Sequence, residues 1–237
     1  MISVIIPTLN EADRLPGLLR RLSETDEAIE VIISDGGSDD DTIDIAMTWG
    51  ARCETGSSGR GQQLARGANI AHGDIFLFLH ADTALPENAF EQINDALSSP
   101  SILGGNYELR FDGGTDFTNW LNGYYAWLRS KGFYYGDSAI FVRRLSYESL
   151  GGIRPISLME DYDFVRRMER AGPTVCLRNP GASTSSRRFE GRKPWRIFWQ
   201  WFYLHAFFHL RVPPNILARL YRSEKQIPGG SEQTTRY

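Results

Sequence analysis

Residues 2–6 are apolar apart from one serine and end at Pro7, a pattern expected of a strand covered on both faces. A helical spacing over 13–22 follows, then an apolar run at 31–33. The Gly/Asp turn at 35–41 can cap a helix that ends near Gly50. A third strand is predicted at 51–54, then a glycine-rich loop, a helix over 62–72 stopped by Gly73, and a fourth strand at 75–79. Strand and helix alternating over about eighty residues predict a parallel sheet with right-handed crossovers and helices on both faces. Such sheets bind ligands beyond the carboxyl ends of their strands. The polar segments 8–11, 35–41, 56–61 and 80–82 all fall there, so four loops are expected to share one rim.

The second half predicts additions to the same sheet: a helix begun by Pro86, a strand at 106–111, an aromatic helix over 117–128 and a strand at 138–142. A helix over 160–171, a strand at 174–177 and an aromatic helical segment at 195–222 follow, with a polar tail from Ser223. With no linker composition and no internal repeat, 1–222 is read as a single domain and 223–237 as its tail.

Composition narrows the function classes. The 237 residues are 41% hydrophobic and carry 29 acids against 26 bases, a net charge of −3, so no global positive field is available for a nucleic-acid backbone. The two cysteines, Cys53 and Cys176, are too few and too far apart for a zinc cluster or a disulfide framework, and are expected to be buried strand thiols in a reducing cytoplasm. The amino terminus has no basic region before its apolar run, so no export signal is expected. The stretch 195–210 contains Arg196, Gln200, His205 and His209, and as a helix would reach roughly 24 Å against a hydrocarbon core of roughly 30 Å. It is read as non-spanning, with attachment at the inner face of a membrane left open.

Several segments carry candidate chemistry. The loop Gly56–Gly61 is followed by Gln62 and Gln63, where a Walker loop needs Lys and Ser or Thr, and Leu64 stands where a dinucleotide fingerprint needs Gly or Ala. The Walker reading is rejected and the dinucleotide reading is weak; the loop is then either a flexible turn before a helix or a place from which Arg60 reaches a nucleotide. His80 and Asp82 flank Ala81 at the end of the fourth strand, and period-two alternation would point both to one side, toward one metal ion. A divalent cation at a diphosphate needs only one or two protein carboxylates. The bland alternative is an Asp opening a turn beside a histidine satisfied by backbone.

Glu160, Asp161 and Asp163 sit at a predicted helix start, where they either cap the helix or supply a general base, Asp161 or Asp163, for an acceptor hydroxyl. His205 and His209 lack the glutamate of a zinc protease and are read as core or interface histidines. Arg187, Arg188, Arg192 and Lys193 form a basic run suited either to solvent or to a departing diphosphate. No Gly-x-Ser-x-Gly elbow is present for a hydrolase triad.

Three stretches together, Ser3-Val-Ile-Ile-Pro-Thr-Leu-Asn-Glu11, Ser34-Asp-Gly-Gly-Ser-Asp-Asp-Asp-Thr42 and Gly59-Arg-Gly-Gln-Gln running on to Leu79-His-Ala-Asp82, resemble the nucleotide-sugar half of family-two glycosyltransferases of the GT-A fold. Gly136-Asp-Ser138 and Glu160-Asp161 extend the resemblance into an acceptor half at 91–194. The Gly-Arg-Gly-Gln-Gln and Leu-His-Ala-Asp variants are most similar to a bacterial subgroup labelled arsenosugar-biosynthesis glycosyltransferases.

The resemblance implies metal-dependent, inverting transfer of one sugar from a nucleoside diphosphate donor, a UDP-sugar favoured, to a hydroxyl acceptor. On it Pro7, Thr8 and Glu11 line the base and ribose, Asp35 pairs with the base and Arg60 closes over it. Asp82 holds Mn2+ or Mg2+ against the diphosphate. Asp161 deprotonates the acceptor, with Asp137 and Glu160 on the acceptor side. His80 takes the first place of the family's usual paired-Asp motif, making a ribose or metal contact. The Gln/Arg-x-x-Arg-Trp signature of processive synthases is absent around Trp195.

Two rivals remain. A sugar-phosphate nucleotidyltransferase should carry a glycine-rich, basic loop after the first strand, where Thr8-Leu-Asn-Glu-Ala stands. A non-catalytic nucleotide-binding or membrane-surface module would leave the rim carboxylates without a purpose. The aromatic residues of 195–210 surround their helix, so that segment is expected to be buried, paired with a second copy, or dipped into a bilayer interface.

Overall fold

The computed structural model describes residues 1–184 and 194–225. Strands β1 (Ile2–Thr8), β2 (Ile29–Asp35), β3 (Arg52–Thr55) and β4 (Ile75–Phe78) form a parallel group in the order β3-β2-β1-β4. The same sheet continues through β7 (Ile140–Arg143), β6 (Gly104–Phe111), β8 (Thr174–Thr184) and the two-residue β5 (Thr83–Ala84). β7 runs antiparallel to both β4 and β6, β8 is parallel to β6, and β5 is antiparallel to β8. The mixed α/β architecture and the helices on both faces agree with the sequence expectation.

The near-continuous apolar runs of the central strands are explained by cover on each side. On one face α1 (Leu15–Ser23), α2 (Thr42–Thr48) and α4 (Ala89–Ala96) pack on Val4, Ile6, Ile33 and Leu77. On the other, α3 (Arg60–Ile70), α6 (Arg144–Ser149) and α7 (Glu160–Ala171) pack on Ile5, Ile32, Phe76 and Phe78. Helix α5 (Asp116–Ser130), begun by a reciprocal Thr115–Thr118 capping box, closes a third cluster with Leu109, Phe111 and Ile197. Ile197 belongs to α8 (Pro194–His209), which is followed by α9 (Pro214–Lys225).

Four sequence expectations need correction. Cys53 and Cys176 are free and strand-borne but only half-buried. The strand predicted at 138–142 starts at Ile140, because Gly136–Ser138 form a 3-10 turn and Ala139 takes φ +52°. β8 runs past the predicted 177 to Thr184, carrying Pro180 beside a register irregularity opposite Tyr107 and Leu109, where a missing N–H costs the ladder little. The polar tail predicted from Ser223 begins inside α9, which continues to Lys225. The remainder of that tail lies outside the described residues.

At the amino-terminal edge of the sheet, Glu30 accepts from Ser3 Oγ at 2.6 Å, from the His72 and Gly73 N–H groups, and from Arg52. Burial alone would raise its pKa, but these donors outweigh it and hold the carboxyl below its ordinary 4.5. Its contribution to stability is therefore present above about pH 4.5 and lost as pH falls through the lower folded value. Glu30→Gln is expected to cost about 1 kcal/mol at neutral pH and to flatten the acid limb of a urea-unfolding series.

Candidate active site

The parallel register brings the ends of β1 to β4 to one edge, and the following loops are stitched together there. Thr8 is buried and its Oγ1 donates to Asp35 Oδ2 at 2.9 Å. Asp35 is fully buried and also accepts from the Gly37 and Ser38 N–H groups at 2.8 Å and from Ser38 Oγ. Its two oxygens are thereby filled from within the chain, so it shapes the 36–38 loop. Pro7 is half-buried beside them. Glu11 is also half-buried, pairs with Arg14 at 2.8 Å, and has a raised pKa through burial, with the charges of Asp82 and Asp40 adding to the rise.

Gln63 was not singled out as a site residue by sequence, yet it ties this rim together. It is buried on the inner face of α3; its Nε2 donates to Thr8 O at 2.7 Å and Ser34 O at 3.0 Å, and its Oε1 accepts from Gly59 N–H. The available signal was an amide inside the buried stripe formed with Leu64, Gly67 and Ala68. Gly67 lets the helix approach that closely: a Cβ there would lie 2.6 Å from Ile5 Cγ2.

β4 ends at Phe78, and 80–82 form a turn closed by Thr83 N–H donating to His80 O at 3.1 Å. Strand alternation therefore does not govern His80 and Asp82, which lie in the turn beyond the strand; His80 is half-buried and Asp82 exposed. Their charges still converge with Arg60, Asp137 and Asp161, all of which act on His80. Burial, then Arg60, lowers the His80 pKa and keeps the ring neutral. Its Nε2 is buried without a hydrogen-bond partner.

The 3-10 turn and the start of α7 complete the opposite wall. Gly136 N–H donates to Asp161 Oδ2 at 2.8 Å and Tyr162 N–H to Asp161 Oδ1 at 2.7 Å, while Arg60 Nη2 lies 3.1 Å from Oδ2. A Cβ on Gly136 would stand 3.1 Å from His80 Nε2 and 3.2 Å from Asp161 Oδ2. Three elements thus meet at one point, where a side chain at position 136 would crowd His80 and Asp161. Burial alone would raise the Asp161 pKa; Arg60 and the two N–H groups outweigh it and hold the carboxyl below its ordinary range. Of about four acceptor positions on a carboxylate, three are filled.

Glu160 is 2% exposed and ion-paired with Arg60 Nε, and burial raises its pKa despite that partner. It grips Arg60 instead of facing solvent. Asp137 is buried near Tyr125, whose hydroxyl lies 3.5 Å from Oδ2. Asp163, the second candidate base, is held by Arg154 at 3.1 Å and Arg167 at 2.8 Å. His205 and His209 bond Tyr135 Oη and Tyr162 Oη at 2.9 Å each, and so act as packing histidines behind the site. The basic run of Arg187, Arg188, Arg192 and Lys193 lies outside the described residues.

Comparison with known proteins accords with this geometry. The profile of Glycosyl transferase family 2 matches residues 3–147. A 4,4'-diaponeurosporenoate glycosyltransferase of Staphylococcus haemolyticus is 40% identical over 112 residues, 44% of this chain and 30% of that protein. A dolichol-phosphate mannosyltransferase of Pyrococcus furiosus is 28% identical over 165 residues, 66% of this chain and 44% of that protein. The chain thus spans less than half the length of these curated relatives. Among solved structures, the mannosyltransferase PcManGT of Pyrobaculum calidifontis, in complex with GDP-Man and Mn2+, aligns with a TM-score of 0.64 at 20% identity, over 94% of this chain and 68% of that one. Residues 1–349 of S. aureus TarS align at 0.64 and 17% identity, over 78% of this chain and 60% of that one. These alignments share the fold alone, and it is the GT-A arrangement expected from the sequence. With the family profile covering well over half of its residues, the chain belongs to glycosyl transferase family 2.

Proposed function

We propose that this protein transfers a single sugar from a nucleoside diphosphate sugar, uridine being the favoured base, to a hydroxyl acceptor with inversion at the anomeric carbon. The observation that carries this reading is the meeting of the His80–Asp82 turn with Asp161 across Gly136, at the edge where four strand ends converge. Residues 1–90 form the donor half and 91–194 the acceptor half of one domain. Pro7, Thr8, Glu11 and the Asp35 loop cradle the nucleoside. Asp161, ionised because its pKa is lowered, takes the proton of the acceptor hydroxyl through its remaining lone pair as the oxygen attacks the anomeric carbon. The diphosphate leaves from the opposite face. Asp137 orients the acceptor, and Arg60, held by Glu160, brings positive charge between the two halves. The narrower resemblance to the arsenosugar-labelled subgroup rests on the Gly59–Gln63 and Leu79–Asp82 motifs and names no acceptor.

A divalent cation fits the residues present. Among the described residues no group of three or more His, Cys, Asp or Glu is arranged as a protein cage. A nucleotide-bound Mn2+ or Mg2+ takes most of its shell from phosphate and water. The exposed Asp82 carboxylate and the unpartnered His80 Nε2 are the donors that would hold it, manganese tolerating the imidazole better. When bound, such an ion neutralises charge on the departing diphosphate.

The test is thermal shift against a panel of nucleoside diphosphates with and without Mn2+. One diphosphate should raise Tm by several degrees more with the metal than without it, as expected when ligand at about a hundred times Kd adds about 2.7 kcal/mol. Asp82→Ala should abolish the metal-dependent increment. A panel without any diphosphate shift, or an increment that survives Asp82→Ala, defeats the proposal. A nucleotidyltransferase would instead respond to the triphosphate together with a sugar phosphate.

A further inference from the structure

Helix α8 has two unlike faces. Ile197 and Leu204 are buried against the body, with His205 bonded to Tyr135. The other face leaves Trp195, Trp199 and Phe202 each more than half exposed. That face does not stop at the helix. Trp120 and Trp127 of α5, also exposed, stack on either side of Tyr124 at 5.5 and 6.0 Å, and Tyr124 contacts Phe198 of α8 at 6.1 Å. Phe198, Trp199 and Phe202 continue the series at 5.9 and 5.4 Å. The result is one contiguous aromatic surface across two helices, of a kind that soluble surfaces seldom leave uncovered.

Charge distinguishes among its occupants. In a chain of net charge −3, the segment 191–223 has no Asp or Glu and six Arg or Lys. Of these Arg196, Arg211 and Arg219 are exposed, with the Arg196 guanidinium 5.5 Å from the Trp195 ring centre. A two-fold contact between copies would bring the cations of this segment together with no acid of the same segment to offset them, leaving Asp116 of α5 as the exposed acid nearest to Trp120 along the chain. Indole rings rimmed by guanidinium groups match the headgroup boundary of a bilayer that carries negative charge. No helix among the described residues is long and apolar enough to cross a membrane, so the contact is one of surface attachment.

We propose that the outer face of α8, continued by Trp120 and Trp127 of α5 and by α9, is a docking surface for anionic lipid bilayers. The surface is separate from the strand-end crevice, and the proposal does not rest on the transfer reaction. It is tested with the full chain by co-sedimentation with vesicles of phosphatidylcholine alone and of phosphatidylcholine mixed with phosphatidylglycerol. Binding should be strong only to the mixed vesicles, with a blue shift of tryptophan emission, and should weaken severalfold when salt rises from about 0.1 M to about 0.5 M.

Arg196→Glu with Arg219→Glu, and separately Trp199→Ser with Phe202→Ser, should each reduce partitioning by at least about tenfold. Both double variants replace exposed side chains, and their melting curves with and without nucleoside diphosphate check folding and keep this question apart from donor binding. Three results overturn the proposal: no sedimentation of the wild-type chain with mixed vesicles, partitioning unchanged in both variants, or a concentration-dependent dimer in sedimentation velocity that the aromatic variant dissolves.

Discussion

Asp161→Asn is expected to lower kcat by about a thousandfold, roughly 4 kcal/mol of barrier, while the diphosphate-induced thermal shift and the donor KM stay within about twofold of wild type. The amide is nearly isosteric and its oxygen can still accept from Gly136 or Tyr162, so the wall keeps its shape. What it loses is the capacity to take a proton. The split between kcat and KM separates a base from a residue that only binds. Retained turnover would remove Asp161 from this role, and Asp163 could not replace it while held by Arg154 and Arg167.

The second large effect is expected from Arg60→Ala. Glu160 and Asp161 are 2% and 4% exposed, and among the described residues the Arg60 guanidinium is the cation within salt-bridge distance of both. Truncating one partner of such a network leaves buried charge uncompensated, typically at about 3–5 kcal/mol. Because the Arg60 side chain is 38% exposed, solvent screening lowers this to about 2–3 kcal/mol, or about 4–12 °C in Tm.

The sign of the pH dependence follows from the shifts. Burial already raises the pKa of Glu160, so its folded form is favoured at low pH and that advantage is lost as pH rises through the folded value. Without Arg60 the rise is larger, and the deficit should be greater at about pH 8 than at about pH 5. Adding Glu160→Gln should recover part of the loss at the higher pH. A deficit that does not change with pH would show that the carboxylates do not depend on Arg60.

Much of the first half was legible because β1, β2 and β4 are covered on both faces and their apolar runs stop where the chain reaches the rim. Hidden features had no local signal. Ala139 adopts a left-handed backbone, and no side chain announces it. β5 has two residues, fewer than any periodicity can register. Pro180 and Gly181 suggest a break, yet the strand continues, and Gly181 is needed because a Cβ there would lie 2.3 Å from Glu108 O. In the site, the residue types at positions 80, 82 and 161 drew attention on chemical grounds. The partnership of Arg60 with two carboxylates a hundred positions away is purely tertiary and could not be read locally.

Asp161 and Tyr162 are neighbours on the first turn of α7, and they look in different directions. One is fixed by Gly136; the other stacks between Phe133 and Tyr135 and donates or accepts a hydrogen bond with His209 of α8. Tyr135, which precedes Gly136, is itself bonded to His205 one turn earlier on α8. Both attachments of the outer helix are therefore one peptide unit away from the groups that aim the Asp161 carboxylate. A displacement of α8 would therefore pull, through Tyr135 and Tyr162, on the two N–H groups that hold the Asp161 carboxylate.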